Sequence, residues 1–337
     1  MKKISIVVPT YNEEENVVLL SMEIINELNT NLPQYDYELI FTDNCSTDNT
    51  RSLIEILCKE NKHIKAIFNA KNFGQNNSPI NGLLSTSGDC AILICADFQD
   101  PIEMIPLFIK EWESGYRIVS AIKTTSMENK FIRFLRTCYY KMIKKMSAVE
   151  QIKHFTGFGL YDRSFIDVLR NLNDPTPFLR GIVAELGFKR KDIPYQQQRR
   201  RAGKTKNNWY SLYDLAMLSF TSYTKIGMRI ATISGFIISV LSVLTAFIYT
   251  GLRIILGSSI PMGVFPIMIG VFVLGGLQIF FIGLVGEYVL SINTRVMNRP
   301  LVVEEYRINF DEANHLQDNA CLGKEERYGR YKEVDKL

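Results

Sequence analysis

The stretch CAILICADFQDP, residues 90–101, joins an apolar run to a short acidic segment. The run is almost continuously apolar, which is typical of a parallel strand that helices cover on both faces. Its closing proline suits the first turn of a helix, which we predict over 101–114. The side chains at the junction of this strand and helix are Asp97, Gln99 and Asp100.

Four other short apolar runs alternate with helical patterns in the first half of the chain. In addition to residues 90–97, strands are predicted at 4–9, 37–44, 64–70 and 117–122, and in addition to 101–114, helices at 14–29, 48–60 and 78–86. This alternation predicts an α/β fold with a doubly wound, mostly parallel sheet, in which ligands bind at the carboxyl ends of the strands. Those ends carry PTYNEE, TDN, NAKNFG and CADFQD, so the site is expected there.

The overall composition conceals a strong asymmetry along the chain. The 337 residues are 47% hydrophobic and 22% charged, as in ordinary globular proteins, but residues 230–290 contain only Arg253 and Glu287 as charged side chains. The net charge of +4 is mild and gives no reason to expect a nucleic-acid partner. The six cysteines have no metal-binding spacing, which favours reduced thiols in a cytosolic domain.

Two apolar segments, 230–252 and 263–290, predict a pair of membrane-spanning helices, because about 20 helical residues cross a bilayer core. A buried helical hairpin of a soluble protein is the alternative. Positive residues flank the pair on one side: Lys225, Arg229, Arg295 and Arg299. The positive-inside rule then predicts a multi-pass protein of the inner (cytoplasmic) membrane with both termini in the cytoplasm. The amino terminus, whose apolar run ends early at a proline, is not expected to be a signal peptide.

The domain organisation follows from these segments. We predict a cytosolic catalytic domain over 1–206, an interfacial helix over 207–228, two spans within 229–292 and a cytoplasmic tail over 293–337, loosely ordered from residue 301. Residues 129–146 are basic and aromatic, which suits either an ordinary surface helix or a helix at the membrane surface. Small residues in the second span would permit a homo-oligomer through the membrane helices.

The acidic strand ends suggest a chemistry, although acidic loop tips are common and their spacing alone is not specific. Carboxylates at such positions can hydrogen-bond a base or ribose and hold Mg²⁺ or Mn²⁺ against phosphate oxygens. Asp43 ends the second predicted strand, and Asp97 and Gln99, two residues apart on a turning chain, are placed to reach one metal ion.

Four segments in order carry a more specific pattern: VVPTYNEEEN, TDNCSTDNT, NFGQNNSPINGL and SGDCAILICADFQDP. With RRRAGKTKNNWYSLYDLA and the two apolar spans, they resemble the family-two glycosyltransferases of the GT-A fold, and more closely the dolichol- and undecaprenyl-phosphate sugar transferases. The resemblance covers about residues 4–300. It implies inverting transfer of a monosaccharide from a nucleotide-sugar donor to a polyprenyl-phosphate acceptor at the bilayer, with Mg²⁺ or Mn²⁺ as cofactor.

The resemblance also implies roles for particular residues. The nucleotide pocket would be lined by Pro9, Tyr11, Glu13 and Asp43. Asp97 and Gln99 would be metal ligands, with Asp97 and Asp100 catalytic. Arg201 (also taken as catalytic), Lys204 and Lys206 would meet the donor or lipid phosphates, and the acceptor headgroup would be guided by Lys123, Arg133 and Arg136. Simpler structural interpretations stay open: Pro9 ends a strand, Asp100 caps the following helix, and the arginines are solvated surface.

Three positions depart from the family pattern: Cys95, Asn44 and Gly157 stand where acids are usual. Mg²⁺ and Mn²⁺ prefer oxygen to sulfur, so fewer protein ligands are expected for the metal. A phosphate acceptor is largely ionised at pH 7 and needs no general base, because its second pKa is near 6. The missing acids therefore favour a lipid-phosphate acceptor over a sugar hydroxyl.

Two other functions remain open from the residues alone. One is a processive polysaccharide synthase, although the chain lacks the QxxRW motif and the additional spans that such enzymes use. The other is a catalytically silent homologue that acts as a membrane scaffold, which the three missing acids would suit. For the enzyme, UDP-glucose is the expected donor, since Asp43 suits a uracil pocket and bacterial relatives of this layout often use it. Other nucleotide sugars stay open.

Overall fold

The structure is a computed structural model of the chain. It describes residues 1–124, 152, 154–198, 201, 264–297 and 299–310, together with 233–238 and single positions between 217 and 255. Several predicted features lie wholly or largely outside the described residues: the basic stretch 129–146, the interfacial helix 207–228, the first span 230–252 and the tail from residue 311.

The described part of the chain is built around one eight-stranded sheet. Its strands are β1 (Lys3–Thr10), β2 (Asp36–Asp43), β3 (Ile64–Asn69), β4 (Cys90–Leu93), β5 (Ile118–Lys123), β6 (Phe155–Asp162), β7 (Arg190–Tyr195) and β8 (Glu304–Ile308). They lie in the order β7-β5-β6-β4-β1-β2-β3-β8. Strands β3, β2, β1 and β4 are parallel, β6 is antiparallel to both β4 and β5, β7 is parallel to β5, and β8 is antiparallel to β3.

Helices cover both faces of this sheet. They are α1 (Val17–Asn31), α2 (Thr50–Glu60), α3 (Gly74–Leu84), α4 (Ile105–Glu113, after a 3₁₀ turn at Ile102–Met104), α5 (Arg163–Leu172), α6 (Leu179–Glu185) and α7 (Val264–Val296). Alternate residues of β1 face opposite layers: Ile4, Ile6 and Val8 pack with α1, α2 and α4, whereas Val7 packs with α3, α5 and α6. The predicted doubly wound, mostly parallel α/β sheet is confirmed.

Helix α1 shows why these segments fold against the sheet. Its buried apolar residues recur every three or four positions, at Val17, Leu20, Ile24 and Leu28, and so form one stripe. On the other face α3 approaches the sheet closely at Gly82, where a Cβ would lie 2.5 Å from Val7 Cγ1 and 2.7 Å from Thr42 Cγ2. Only a residue without a side chain allows this approach.

The largest differences between the predicted and the observed elements are at three places. The strand predicted over 90–97 ends at Leu93, because Ile94 makes the last bond to β1, through Val7 O, and the chain then turns away. Helix α3 begins at Gly74 rather than at residue 78. The prediction of a loosely ordered tail from residue 301 is wrong for Glu304–Ile308, which form β8 against the edge of β3.

Helix α7 contains the segment Leu274–Val296, whose 23 residues are long and apolar enough to cross a membrane and are not buried inside the protein. It overlaps the second predicted span, 263–290. Its last turn contacts the part of the chain that forms the sheet and its covering helices, since Arg295 Nη2 lies 3.4 Å from Asp174 Oδ2 in the loop after α5. The structure thus contains one candidate span in its described residues.

A buried carboxylate organises the amino-terminal end of the sheet. Glu38 on β2 is 1% exposed and lies 2.8 Å from Lys65 Nζ and 3.2 Å from Lys3 Nζ. Ser5 Oγ and the Ser87 backbone N–H also donate to it. Burial alone would raise the pKa of Glu38, but the bonds from Lys65, Ser5 and Ser87 outweigh it and lower the pKa to about 2. The ionised form is therefore the one that the fold requires.

This arrangement predicts a stability change with pH. The pKa of Glu38 is below its unfolded value of 4.5, so its contribution is complete above that value and is lost as pH falls toward about 2. The shift corresponds to about 3 kcal/mol. We expect Glu38→Gln to lower the free energy of unfolding by roughly 3 kcal/mol at pH 7, with the loss shrinking toward pH 3, as measured by thermal unfolding of the full chain in detergent.

The matched control is Glu60→Gln, which changes an exposed carboxylate at the end of α2 and should have an effect within about 0.5 kcal/mol. An equal loss of stability at pH 7 and pH 3 for Glu38→Gln would contradict the assignment of a depressed pKa.

Candidate active site

The parallel strands β4, β1 and β2 are neighbours, so their carboxyl ends meet at one edge of the sheet. In the register of the sheet Thr10 pairs with Asp43, and Val7 pairs with Leu93, where β4 ends. The predicted residues that follow β1 and β4 therefore lie at the same edge of the sheet as Asp43. These are Tyr11, Glu13, Asp97, Gln99 and Asp100. Pro9 lies within β1, paired with Thr42, one residue before the strand ends at Thr10.

The loops after β1 and β2 are tied together by hydrogen bonds. Asn12, with a left-handed φ of 55°, donates its backbone N–H to Ser46 Oγ at 2.8 Å and accepts from the Thr47 N–H through Oδ1 at 2.7 Å. The backbone N–H of Glu13 donates to Thr50 Oγ1 at the start of α2. The two walls of the predicted nucleotide pocket are thus fixed relative to each other before any ligand binds.

Asp43 is fully buried at this edge. Its carboxylate accepts from Ser46 Oγ at 2.5 Å and from the Ser46 N–H at 3.0 Å, and Arg51 Nε lies 3.5 Å from its Oδ2. Burial raises the pKa of Asp43 above its usual range, although the bonds from Ser46 and the charge of Arg51 oppose the rise. The protonation state of Asp43 therefore depends on Ser46 and Arg51, each of which can be substituted separately.

The segment after β4 brings Asp97 and Gln99 together. The chain turns at Phe98, whose φ is 58°, and the Gln99 N–H donates to Asp97 Oδ1 at 3.2 Å. The Gln99 side-chain oxygen accepts from Gln197 Nε2 at 3.0 Å, which fixes the amide. One carboxylate and one amide oxygen on a tight turn fit Mg²⁺ or Mn²⁺, since these ions take oxygen ligands and complete their shells with phosphate and water.

Asp100 has different surroundings from Asp97. It is buried, and it accepts from Tyr195 Oη at 3.0 Å and from the Cys95 N–H at 3.2 Å. It does not cap the turn at Ile102–Met104, so that simpler interpretation is wrong. Burial raises its pKa, while the bonds from Tyr195 and Cys95 oppose the rise. These contacts join the acidic segment to the end of β7.

Cys95 is exposed as a whole residue, while its thiol meets the buried carboxylate of Asp100 and is withdrawn from water there. This dehydration raises the pKa of Cys95 well above its usual value, and the charges of Asp100 and Asp97 raise it further. The group is therefore a neutral thiol at pH 7 and a poor ligand for a hard cation. Among the described residues no three Asp, Glu, His or Cys side chains cluster as a metal site.

The structure gives Asn44 a role that an acid would not fill. Its Nδ2 donates to Asn72 Oδ1 at 2.8 Å, and its Oδ1 accepts from the Phe73 N–H at 2.9 Å and from Asn69 Nδ2 at 3.2 Å. A carboxylate has no proton to donate to Asn72. Asn44 thus holds the loop after β3 against the end of β2.

The predicted basic residues fall into two groups. Lys123 ends β5 beside Tyr195 of β7, at the same edge as the acidic segment, and its charge acts on Cys95. Arg201 places its guanidinium 4.1 Å from the centre of the Phe98 ring and pairs with Glu23 Oε1 at 2.7 Å. Four predicted residues lie outside the described residues: Arg133, Arg136, Lys204 and Lys206.

Several residues that shape the site were not predicted. Ser46 and Arg51 support Asp43, and Tyr195 and Gln197 support the segment after β4. Ser46 lies within the quoted TDNCSTDNT motif, so its closeness in sequence to Asp43 was an available signal. The other three are brought to the site by helix α2 and strand β7, and nothing in their local sequence indicates this.

Comparisons with known proteins show which family the chain resembles. The family model described as glycosyl transferase family 2 matches residues 5–169. The SfII prophage-derived bactoprenol glucosyl transferase of Shigella flexneri is 31% identical over 302 residues, which is 88% of this chain and 96% of that protein. The putative glycosyltransferase CsbB of Bacillus subtilis is 31% identical over 326 residues, 95% of this chain and 98% of that protein.

Among solved structures, mannosyl-3-phosphoglycerate synthase from Rubrobacter xylanophilus aligns with a TM-score of 0.46 at 14% identity, over 69% of this chain and 75% of that one. The family match, together with 31% identity to the two relatives over nearly their whole length, settles the classification: the chain is a glycosyltransferase and belongs to glycosyl transferase family 2.

Proposed function

We propose that the protein transfers glucose from UDP-glucose to undecaprenyl phosphate or a related polyprenyl phosphate, with inversion at the anomeric carbon. The observation that carries this proposal is the 31% identity over nearly the whole length of a relative named a bactoprenol glucosyl transferase. The placement of Asp43, Asp97 and Gln99 at the carboxyl ends of parallel strands supports the proposal, because such an edge is where nucleotide ligands bind in this class of fold. The lipid-linked sugar would serve the modification of a cell-envelope glycan.

In this proposal the donor lies along the edge where β4, β1 and β2 end. Asp43 accepts a hydrogen bond from the base, with Pro9, Tyr11 and Glu13 lining the pocket. Asp97 and Gln99 hold Mg²⁺ or Mn²⁺, which supplies positive charge against the leaving diphosphate. Asp100, held by Tyr195, keeps the segment after β4 in position, and Arg201 reaches the phosphates after leaving Glu23.

The acceptor supplies its own nucleophile. A phosphate monoester is mostly a dianion at pH 7, so the site needs to provide geometry and charge stabilisation and not proton abstraction. Lys123 is positioned at the edge to attract such a headgroup, and we assign Arg133, Arg136, Lys204 and Lys206 to the same task. The neutral thiol at Cys95 is compatible with this chemistry, since no second carboxylate is required as a base.

We also propose a two-span anchor at the inner membrane, with α7 as the second span and both termini in the cytoplasm. A polyprenyl phosphate keeps its headgroup at the bilayer surface, so the catalytic edge has to lie close to that surface. The contact between Arg295 and Asp174 supports a fixed orientation of α7 to the catalytic domain. Packing of α7 with further copies of the chain would give the homo-oligomer expected from its glycines.

The first test is a donor panel. Purified full-length protein in detergent is given Mg²⁺ or Mn²⁺, undecaprenyl phosphate and radiolabelled nucleotide sugars, and labelled lipid is measured. We expect labelled lipid from UDP-glucose and, for Asp97→Ala, a decrease in kcat/KM of at least about a hundredfold, because the metal loses its carboxylate ligand.

The matched control for that variant is Asp167→Ala, which removes an exposed carboxylate paired with Arg170 on α5 and should leave turnover unchanged. Turnover with a different donor would correct the sugar. Label in a growing glycan would favour a polysaccharide synthase, and no turnover with any donor would favour a scaffold.

A second prediction concerns Cys95. In Cys95→Asp a third carboxylate joins Asp97 and Asp100, so without metal the melting temperature should fall by like-charge repulsion. With Mn²⁺ the added oxygen ligand should lower the metal concentration for half-maximal activity by about tenfold. Cys95→Ser is the matched control, with neither effect. An unchanged metal titration for Cys95→Asp would remove this position from the metal site.

A further inference from the structure

The chain returns to the catalytic domain after helix α7. We call residues 301–310 the return segment. Its strand β8 pairs with β3, and on either side of β8 the Ala70 N–H donates to Val303 O at 2.9 Å and Asn309 Nδ2 donates to Cys58 O and Ile64 O, both at 2.7 Å. Asn77 Nδ2 also donates to Leu301 O. The segment is therefore bonded to β3, α2 and α3 along its length.

Arg51 on α2 lies between this segment and Asp43. Its Nη2 is 2.6 Å from Glu305 Oε2 of the return segment, and its Nε is 3.5 Å from Asp43 Oδ2. The guanidinium carbon is 5.1 Å from the centre of the Phe68 ring and 5.6 Å from that of Tyr306. These two rings, one from β3 and one from β8, stack on each other at 4.5 Å.

The electrostatics of this arrangement are asymmetric. Asp43 is fully buried, whereas Arg51 is one-quarter exposed and Glu305 half exposed. Arg51 Nε is buried and makes no hydrogen bond, so a closer approach to Asp43 Oδ2 would give it a charge-assisted one. A cation near a carboxylate that cannot reach water has a larger effect than the same cation at the surface.

We propose that Arg51 is a positioning residue for Asp43, and that the return segment holds Arg51 in place. The nucleotide site would then be completed by the part of the chain that comes back from the membrane helix. This inference rests on the proposed function in one respect: it takes Asp43 as the group that recognises the donor base.

The charges that face Asp43 determine the expected phenotype. Arg51 on α2 favours the ionised carboxylate, while burial and the charge of Asp48 on the preceding loop favour the protonated one; the Ser46 bonds also favour ionisation. Without Arg51 the affinity of Asp43 for a proton increases. A protonated Asp43 cannot accept from the base in the same way, so donor recognition should weaken as pH falls.

The test compares Arg51→Gln with wild type through kcat/KM for the donor from pH 8 to pH 5, at saturating acceptor. The acceptor phosphate titrates in the same way in both assays, so its contribution cancels when kcat/KM of the variant is divided by kcat/KM of the wild type. We expect this ratio to fall with decreasing pH by up to about tenfold, equivalent to one pKa unit on Asp43. The loss should appear in KM for the donor more than in kcat, and Arg51→Lys should restore part of it.

Two further variants separate positioning from loss of stability. Tyr306→Ala removes the ring beneath Arg51 and should change the ratio in the same direction by a smaller factor. Arg117→Gln is the matched control, because Arg117 pairs with Asp162 at the opposite end of the sheet; it should lower the melting temperature and leave the ratio flat with pH. A flat ratio for Arg51→Gln would overturn the proposal.

A measurement without substrate keeps this proposal distinct from the proposed function. In a double-mutant cycle of thermal unfolding, Arg51→Gln and Asp43→Asn together should destabilise the ligand-free full chain less than the sum of the single changes. Additive effects would overturn the coupling even in an active enzyme. A non-additive cycle in a protein that uses no donor would support the coupling and refute only the proposed transfer.

Discussion

The structure depends on the parallel pairing of β4, β1 and β2. Because these strands are buried on both faces, polar groups can be accommodated only where the strands end, and parallel pairing brings those ends to one edge. Asp43 and the segment after β4 come to the same edge for this reason, although they are far apart in the chain. The hydrogen bonds that the Asn12 and Glu13 N–H groups donate to Ser46 and Thr50 then hold the loops in one arrangement, so the geometry of the site is a direct result of strand order.

Much of this fold could be predicted from the sequence because its decisive signals are local. The apolar runs of β1 to β5 and the stripe of α1 are visible within a few residues of each other. Strand β6 was missed because FTGFGLYD contains two glycines and begins beyond a long interruption in the alternating pattern. Strand β8 was missed because EEYRI is mostly charged, as suits an edge strand, and pairs with β3 across more than two hundred residues.

The candidate site also contains some residues with a local sequence signal and others without one. The placement of Asp43, Asp97 and Gln99 at one edge of the sheet was predictable because they stand at or after the ends of parallel strands. Their supports were not, since Arg51 reaches Asp43 from a helix and Tyr195 reaches Asp100 from a distant strand. Asn44 illustrates a substitution whose meaning is visible only in three dimensions: set against a family pattern it is a missing acid, whereas in the fold its amide bonds the loop after β3 as both donor and acceptor. Whether Asn44 donates or accepts a hydrogen bond depends on the groups that the tertiary fold places beside its amide.

The position of β8 has a consequence for biosynthesis. Until residues 304–308 leave the ribosome, β3 is an open sheet edge with unpaired backbone groups, and such edges promote association between chains. The other strands of the sheet are translated before that strand, and α7 with its apolar surface is translated in between. Completion of the sheet therefore waits for the whole of α7 to be synthesised. A chain released before residue 304 would expose both the β3 edge and the apolar surface of α7, and both features favour association between chains.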